Sequence, residues 1–355
     1  MGSAGLTGHH DEARVRGPGL VIGRSGASFG KVHYCHEDYW PLNTALFATD
    51  FLGNEPRFVY YALNTISFGA FNSGSAQASL NRNLIANIPV AIPPLEEQRR
   101  IAGVLGAPDH KIDSNRRLAQ LLEEIAQAEF QARFVDCIGS ETFEDSELGP
   151  IPTGWRAGVL GEIGSVHRDL IKGASDSPYV GLDLMPRGST VLTEWRAEDA
   201  PTGQAALFDV GDVLFGKLRP YFRKVGVAPI AGRCSTEILV LRPRKPQYYG
   251  VLLGHVASEA FIAHCVAVSR GTRMPRAEWK DAAAFKIAIP PEEVAAAFTA
   301  LAQDLYAKIR GLIHESRTLA SIRDTLLPRL VSGQIRVPDT ADPADVVQPL
   351  VNEAA

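Results

Sequence analysis

Residues Gly23-Arg24-Ser25-Gly26-Ala27-Ser28-Phe29-Gly30-Lys31-Val32 have the outline of a phosphate-binding loop. Such a loop needs glycine where Ser25 stands and serine or threonine where Val32 stands, because that hydroxyl holds Mg²⁺. Neither requirement is met, so the stretch is not expected to cradle a nucleotide. It also fails as a nucleophile elbow, since Ala27 stands where the second glycine belongs. Glu278-Trp279-Lys280 has the spacing of a nuclease Glu-x-Lys, but no convincing acid precedes it, and a helix or strand start is the better reading. His33, Cys35 and His36 could ligate a metal. Alternation along a strand, however, puts His36 opposite the other two, and no second cluster completes a site. No metal, cofactor or catalytic constellation is expected.

The chemistry left is recognition. Lys217, Arg219, Arg223 and Lys224 interleave with Tyr221 and Phe222, and Arg273, Arg276 and Lys280 follow Gly271. From Gly216 to Lys245 the basic residues also include Arg233, Arg242, Arg244 and Lys245, against the single acid Glu237. Arginine and lysine can hold phosphates and read groove edges, and Tyr221 can bond to a phosphate or pack on a sugar. The alternative is a solvated basic strand. Of 36 basic residues only nine are lysine. Arginine's planar fork suits guanine edges, although GC-rich coding would give the same bias. The net charge of −4 excludes a wholesale polycation but not a local basic face.

An internal repeat indicates how these residues are held. Gly74-Ser75-Ala76-Gln77, then Ala91-Ile92-Pro93-Pro94-Leu95-Glu96-Glu97, returns 197 residues later as Gly271-Thr272-Arg273-Met274, then Ala288-Ile289-Pro290-Pro291-Glu292-Glu293. Val21-Ile22-Gly23-Arg24 with Phe29-Gly30-Lys31-Val32 returns at an offset of 193 as Leu214-Phe215-Gly216-Lys217 with Phe222-Arg223-Lys224-Val225. A period this long marks a duplicated domain-plus-helix unit rather than a solenoid. Arg24 and Lys31, followed by Arg82, keep positive charge in the first copy.

After each Ile-Pro-Pro a long helix is predicted, started by proline and acids in its first turn. Phe298, Leu305, Leu312, Leu319 and Leu326 recur every seven residues. So do Leu105, Ile112, Ala119 and Ala126, thickened by Val104, Leu118, Leu122 and Ile125. Heptads sustained this long favour pairing of the two helices over each packing on its own domain. Pro108 is expected to kink the first. Short apolar runs at residues 19–22, 213–215 and 237–241 read as strands, and residues 56–67 and 248–266 as amphipathic helices. The fold class is therefore α+β. It comprises mixed α/β domains at 1–94 and 155–291, long helices at 95–138 and 292–332, a linker at 139–154 and a mobile tail at 333–355.

Composition agrees with a globular chain: 355 residues, 45% hydrophobic and 21% charged. No apolar run is long enough for a membrane span, and no secretory signal opens the sequence. Cys35, Cys137, Cys234 and Cys265 are scattered, as expected of reduced thiols in the cytoplasm.

Three further motifs occur in fixed order: Ile88-Pro89-Val90-Ala91-Ile92-Pro93-Pro94-Leu95-Glu96-Glu97-Gln98 with Lys111-Ile112; Leu148-Gly149-Pro150-Ile151-Pro152-Thr153-Gly154-Trp155; and Leu326-Leu327-Pro328-Arg329-Leu330-Val331-Ser332-Gly333. With the duplicated blocks they span nearly the whole chain, which resembles the specificity subunit of type I restriction–modification systems. The resemblance implies two target recognition domains, each reading half of a bipartite site in double-stranded DNA. It implies that the two long helices pair antiparallel as a coiled-coil spacer. It also implies no catalysis or cofactor of the subunit's own, and partners that are methyltransferase subunits and an ATP-dependent restriction subunit. Under it the first domain is short. Residues 1–16 correspond to about 194–209, so the opening at 151–193 has no counterpart. The first domain is then expected to be N-terminally truncated, with residues 1–16 poorly packed. Two other functions fit the same residues: a standalone regulatory DNA-binding protein, and a helical scaffold whose basic patches bind acidic proteins. Steep salt dependence separates DNA binding from the scaffold.

Overall fold

The fold is taken from a computed structural model that describes residues 1–74, 78–173, 176–197 and 203–338. Residues 75–77 of the repeated motif and the tail beyond 338 lie outside the described residues. The chain divides into two compact units, and the division falls inside both long helices. Residues 1–113 form the first with the residues from 315 onward, and residues 114–314 form the second.

In the first unit, β1 (Gly19–Gly23) lies between β2 (Val32–Cys35) and β3 (Ala45–Phe47) in a three-stranded antiparallel sheet. Then come α1 (Pro56–Asn64), α2 (Arg82–Ile85) and α3 (Leu95–Phe130). Proline at the first turn of α1 costs no backbone bond, and the Phe58, Tyr61 and Ala62 spacing buries one face. That face packs with Ile101, Val104 and Leu105 of α3.

The second unit opens with a hairpin of β4 (Phe143–Ser146) and β5 (Gly149–Pro152), so residues 139–154 are not a bare linker. It continues with β6 (Arg156–Val159), α4 (Leu160–Ile163), β7 (Gly164–His167), β8 (Leu170–Ile171), β9 (Tyr179–Val180) and β10 (Ala205–Phe208). Next are β11 (Val213–Gly216), β12 (Val225–Val227), β13 (Gly232–Ser235) and β14 (Ile238–Pro243). The last elements are α5 (Tyr249–Ala257), α6 (Glu259–Val268), α7 (Trp279–Ala282), β15 (Lys286–Ile289) and α8 (Glu292–Val331). One sheet has the order β12-β11-β14-β7, another β8-β10-β13-β9, and β15 pairs with β6. The helix expected at 248–266 is broken at Ser258, whose hydroxyl caps α6 by accepting from Phe261 N at 3.2 Å.

The repeat is structural as well as sequential. Ile22 pairs with Val32 as Phe215 pairs with Val225, and Gly23 pairs with Ala45 as Gly216 pairs with Ile238. All four positions obey the offset of 193, and so do the first residues of α1 and α5. From α2 and α7 onward the offset is 197. The four extra residues fall where the second unit builds α6 and the first only a 3₁₀ turn, Phe68–Phe71.

Each unit contains an antiparallel helix–helix contact. In the first, Leu105 shares a core with Leu319 and Leu330, and half-buried Ile112 and Leu326 pack on it. In the second, Ala119 and Ala126 share a core with Phe298, Leu305 and Ile309, flanked by Leu122 and Leu312. Leu118 and Ile125, expected in the seam, are exposed. The first long helix ends at Phe130, followed by a π-turn at Gln131–Val135, rather than at 138. It is also continuous through Pro108. An interior proline costs about 3 kcal/mol, and here Ile101, Val104 and Leu105 are buried just before it while Asp109 is tied to Tyr61 and Arg323, each at 2.5 Å.

Two further features of the first unit concern its first residues and the segment before α3. Met1–Gly5 is tethered rather than loose: the terminal amine donates to Trp40 O at 2.7 Å, and Gly2 and Gly5 bond to each other. Residues 8–14 are exposed, as expected. Pro89–Ile92 stands where the second unit has β15, but it has no strand partner among the described residues. Val90 and Ile92 are accordingly exposed, whereas Ile287 and Ile289 are buried.

Candidate nucleic-acid interface

Two loops meet in each unit. In the second, β11 and β12 are joined by a tight turn containing the 3₁₀ residues Pro220–Phe222, and this connection lies against residues 275–277. Arg219 N donates to Pro275 O at 2.7 Å, and Ala277 N donates to Lys217 O at 3.0 Å. The first unit repeats the arrangement: Gly26 N donates to Ala78 O at 3.4 Å, and Leu80 N to Arg24 O at 2.8 Å. Distant basic segments are thus brought together by backbone pairing.

The side chains divide into braces and free cations. Arg276 grips Glu237 with two nitrogens, at 2.9 and 3.2 Å, and so locks one loop to the start of β14. Lys217 is mostly covered and lies 3.5 Å from Glu278. Lys224, expected as a DNA contact, is buried and donates to Leu182 O. Burial, and then the Arg187 charge, hold its pKa below the usual lysine value. Its charge is held inside the fold rather than presented on the loop surface. Arg233 is likewise interior, against the Tyr179 ring, and Arg242 is bound by Asp209 and Asp212. Much of the basic run from Gly216 to Lys245 is therefore structural.

Arg273 and Lys280 are exposed, with no acidic partner among the described residues. Tyr221 is about half exposed at the tip of the turn, at 48%. Arg223 meets Glu259 at 2.8 Å, and Arg219 reaches Arg273 O at 3.3 Å. Both of these arginines have left-handed backbones, with φ of 51° and 53°. For a residue with a Cβ that costs about 1–2 kcal/mol each. Sequence reasoning missed Arg187, whose guanidinium lies 4.5 Å from the centre of the Phe222 ring. It is a single residue some thirty positions from the cluster, so no local pattern marked it. In the first unit Arg24, Lys31 and Arg82 are exposed on the equivalent loops and at the start of α2.

Among the described residues no single helix is long and apolar enough to cross a membrane; a bent pair, Pro246–Ala257 with Glu259–Val268, passes by length and composition, and Val251, Leu252 and Phe261 on it are buried in the core.

The sequence model of the type I restriction modification DNA specificity domain matches residues 2–124. The specificity subunit of the type I restriction enzyme MjaIX of Methanocaldococcus jannaschii is 26% identical over 309 residues, which is 79% of this chain and 69% of that one. The specificity subunit of the type I restriction enzyme EcoDI of Escherichia coli is 22% identical over 247 residues, 61% of this chain and 55% of its own length. Among solved structures, the S subunit of a type I restriction–modification system from M. genitalium superposes with a TM-score of 0.53 at 16% identity. The match covers 94% of this chain and 87% of that one, and it supports the fold.

Proposed function

The chain belongs to the family of type I restriction–modification specificity subunits, and from that premise we propose that it is the DNA-recognition subunit of such a complex. Its two units read the two halves of a bipartite double-stranded site through the paired loops. The observation that carries this reading is the duplication of one loop pair, hydrogen bond for hydrogen bond, with exposed cations on both copies. A protein that reads two half-sites needs one surface built twice.

On this reading Lys280, Arg273 and Arg187 in the second unit, and Arg24, Lys31 and Arg82 in the first, hold phosphates. Such contacts fix register without reading sequence, and forks at the turn reach base edges. The chain does no chemistry itself. It works in the cytoplasm, where methyltransferase subunits modify the bound DNA and an ATP-dependent restriction subunit cuts unmodified sites.

The test is to express the full chain with its methyltransferase partner in a methylation-free host and map modified adenines. A two-part motif that appears only with the chain is expected. DNA binding of the assembled complex should also fall steeply with salt, by roughly 10³–10⁵ between 50 and 200 mM for six to ten phosphate contacts. Chain-independent methylation, or binding indifferent to salt, would overturn the proposal.

A further inference from the structure

The turn between β11 and β12 contains two of the four non-glycine residues with positive φ among the described residues, Arg219 and Arg223. At the repeat offset of 193 the first unit has Gly26 and Gly30, with φ of 75° and 74°. The backbone of the two turns is otherwise alike. Gly23 N donates to Lys31 O, and Gly216 N to Lys224 O, both at 2.8 Å, while Phe29 N bonds to Gly26 O as Phe222 N bonds to Arg219 O, at 3.1 and 3.0 Å. The turn thus demands a left-handed residue at both positions. Glycine meets the demand without strain, and the first unit uses it.

The contacts of the two arginines within the fold do not account for the strain. The Arg223–Glu259 pair is exposed, with Glu259 83% accessible, and such pairs contribute little. The Arg219 side chain has, among the described residues, only the 3.3 Å bond to Arg273 O. The Nε atom of each is buried with no hydrogen-bond partner among the described residues, which is a cost rather than a gain. Strain that the fold does not need is a mark of function.

We propose that Arg219 and Arg223 are the specificity-determining pair of the second half-site, held at the tip of the turn to read at least one guanine edge with their forks. The matching turn of the first unit offers only backbone at these positions and reads no base there. The two half-sites are therefore read by different means from one scaffold. This inference rests on the DNA-recognition reading above.

The test compares Arg219→Gly, Arg223→Gly and the double variant in the full chain with its methyltransferase partner. Glycine suits the backbone, so thermal stability should hold or rise. The motif should become degenerate at a guanine of one half-site, with affinity for the specific duplex down about tenfold or more. Arg223→Lys, which keeps charge but loses the fork, should not restore that position. A lower melting temperature with an unchanged motif would make the arginines structural and overturn the inference. An equal loss of affinity for specific and random duplex, with the motif intact, would reduce them to phosphate contacts and also overturn it. Failure of the DNA-recognition reading looks different, because the unmodified chain would then direct no motif at all.

Discussion

His255 carries an electrostatic cost inside the second unit. It is buried between Phe130 and Phe285, with ring centroids at 4.9 and 6.1 Å, and its Nε2 has no hydrogen-bond partner among the described residues. Burial depresses its pKa to about 3, from 6.5. Between those values the unfolded chain binds a proton that the folded chain refuses. Stability is whole above about pH 6.5 and falls as pH drops, by roughly 1.4 kcal/mol per unit. The melting temperature should fall between pH 7 and pH 5, and His255→Leu should flatten that slope; equal slopes in the two proteins would refute the assignment. Other residues behaved less predictably from sequence. Arg273, Lys280 and Tyr221 are accessible as their types suggested, but Lys224, three residues from Tyr221, is buried. Whether a cation is spent in the fold depends on partners such as Leu182, forty-two positions away, and no local pattern contains them.

At the scale of elements, the repeat offsets were legible because duplicated strands keep their register, and one-residue slips would turn every buried side chain outward. The hairpin at Phe143–Pro152 was not, since Pro150, Pro152 and the surrounding acids look like linker chemistry until Phe143 is seen opposite Pro152. The helix seam was half legible. Its apolar positions follow the heptad, but Asp109 and Arg323 stand in it as charges and meet at 2.5 Å, with side chains 18% and 25% exposed. Asp109 also accepts from Tyr61, so it joins α1, α3 and α8 directly after Pro108. Removing it leaves a mostly covered guanidinium and a buried hydroxyl short of an acceptor. Asp109→Ala should cost about 2 kcal/mol, less than a fully buried pair because Asp324 still faces Arg323 at 2.7 Å. Denaturant unfolding would measure it, and hydrogen exchange should rise first over residues 101–112. The swap Asp109→Arg with Arg323→Asp should recover part of the loss. If Asp109→Ala is as stable as the parent, the seam holds by apolar packing alone.

For the molecule as a whole, the proposed function requires that something fix how far apart two half-sites can be. α3 and α8 are the only described helices that belong to both units, and the division between units falls after Asp113 in one and before Glu315 in the other. A heptad inserted at each of those points keeps the apolar rows facing each other, because the seam repeats every seven residues. It adds about 10 Å of helix at 1.5 Å per residue, or roughly three base pairs at 3.4 Å each. An insertion in one helix alone would strand its partner's row and should destabilise the protein instead. With the paired insertion, the methylated motif should keep the bases of both halves and gain about three unspecified base pairs between them. Methylome sequencing reads that number directly. A motif whose halves keep their original spacing, from a variant that melts like the parent, would show that the long helices do not set the distance.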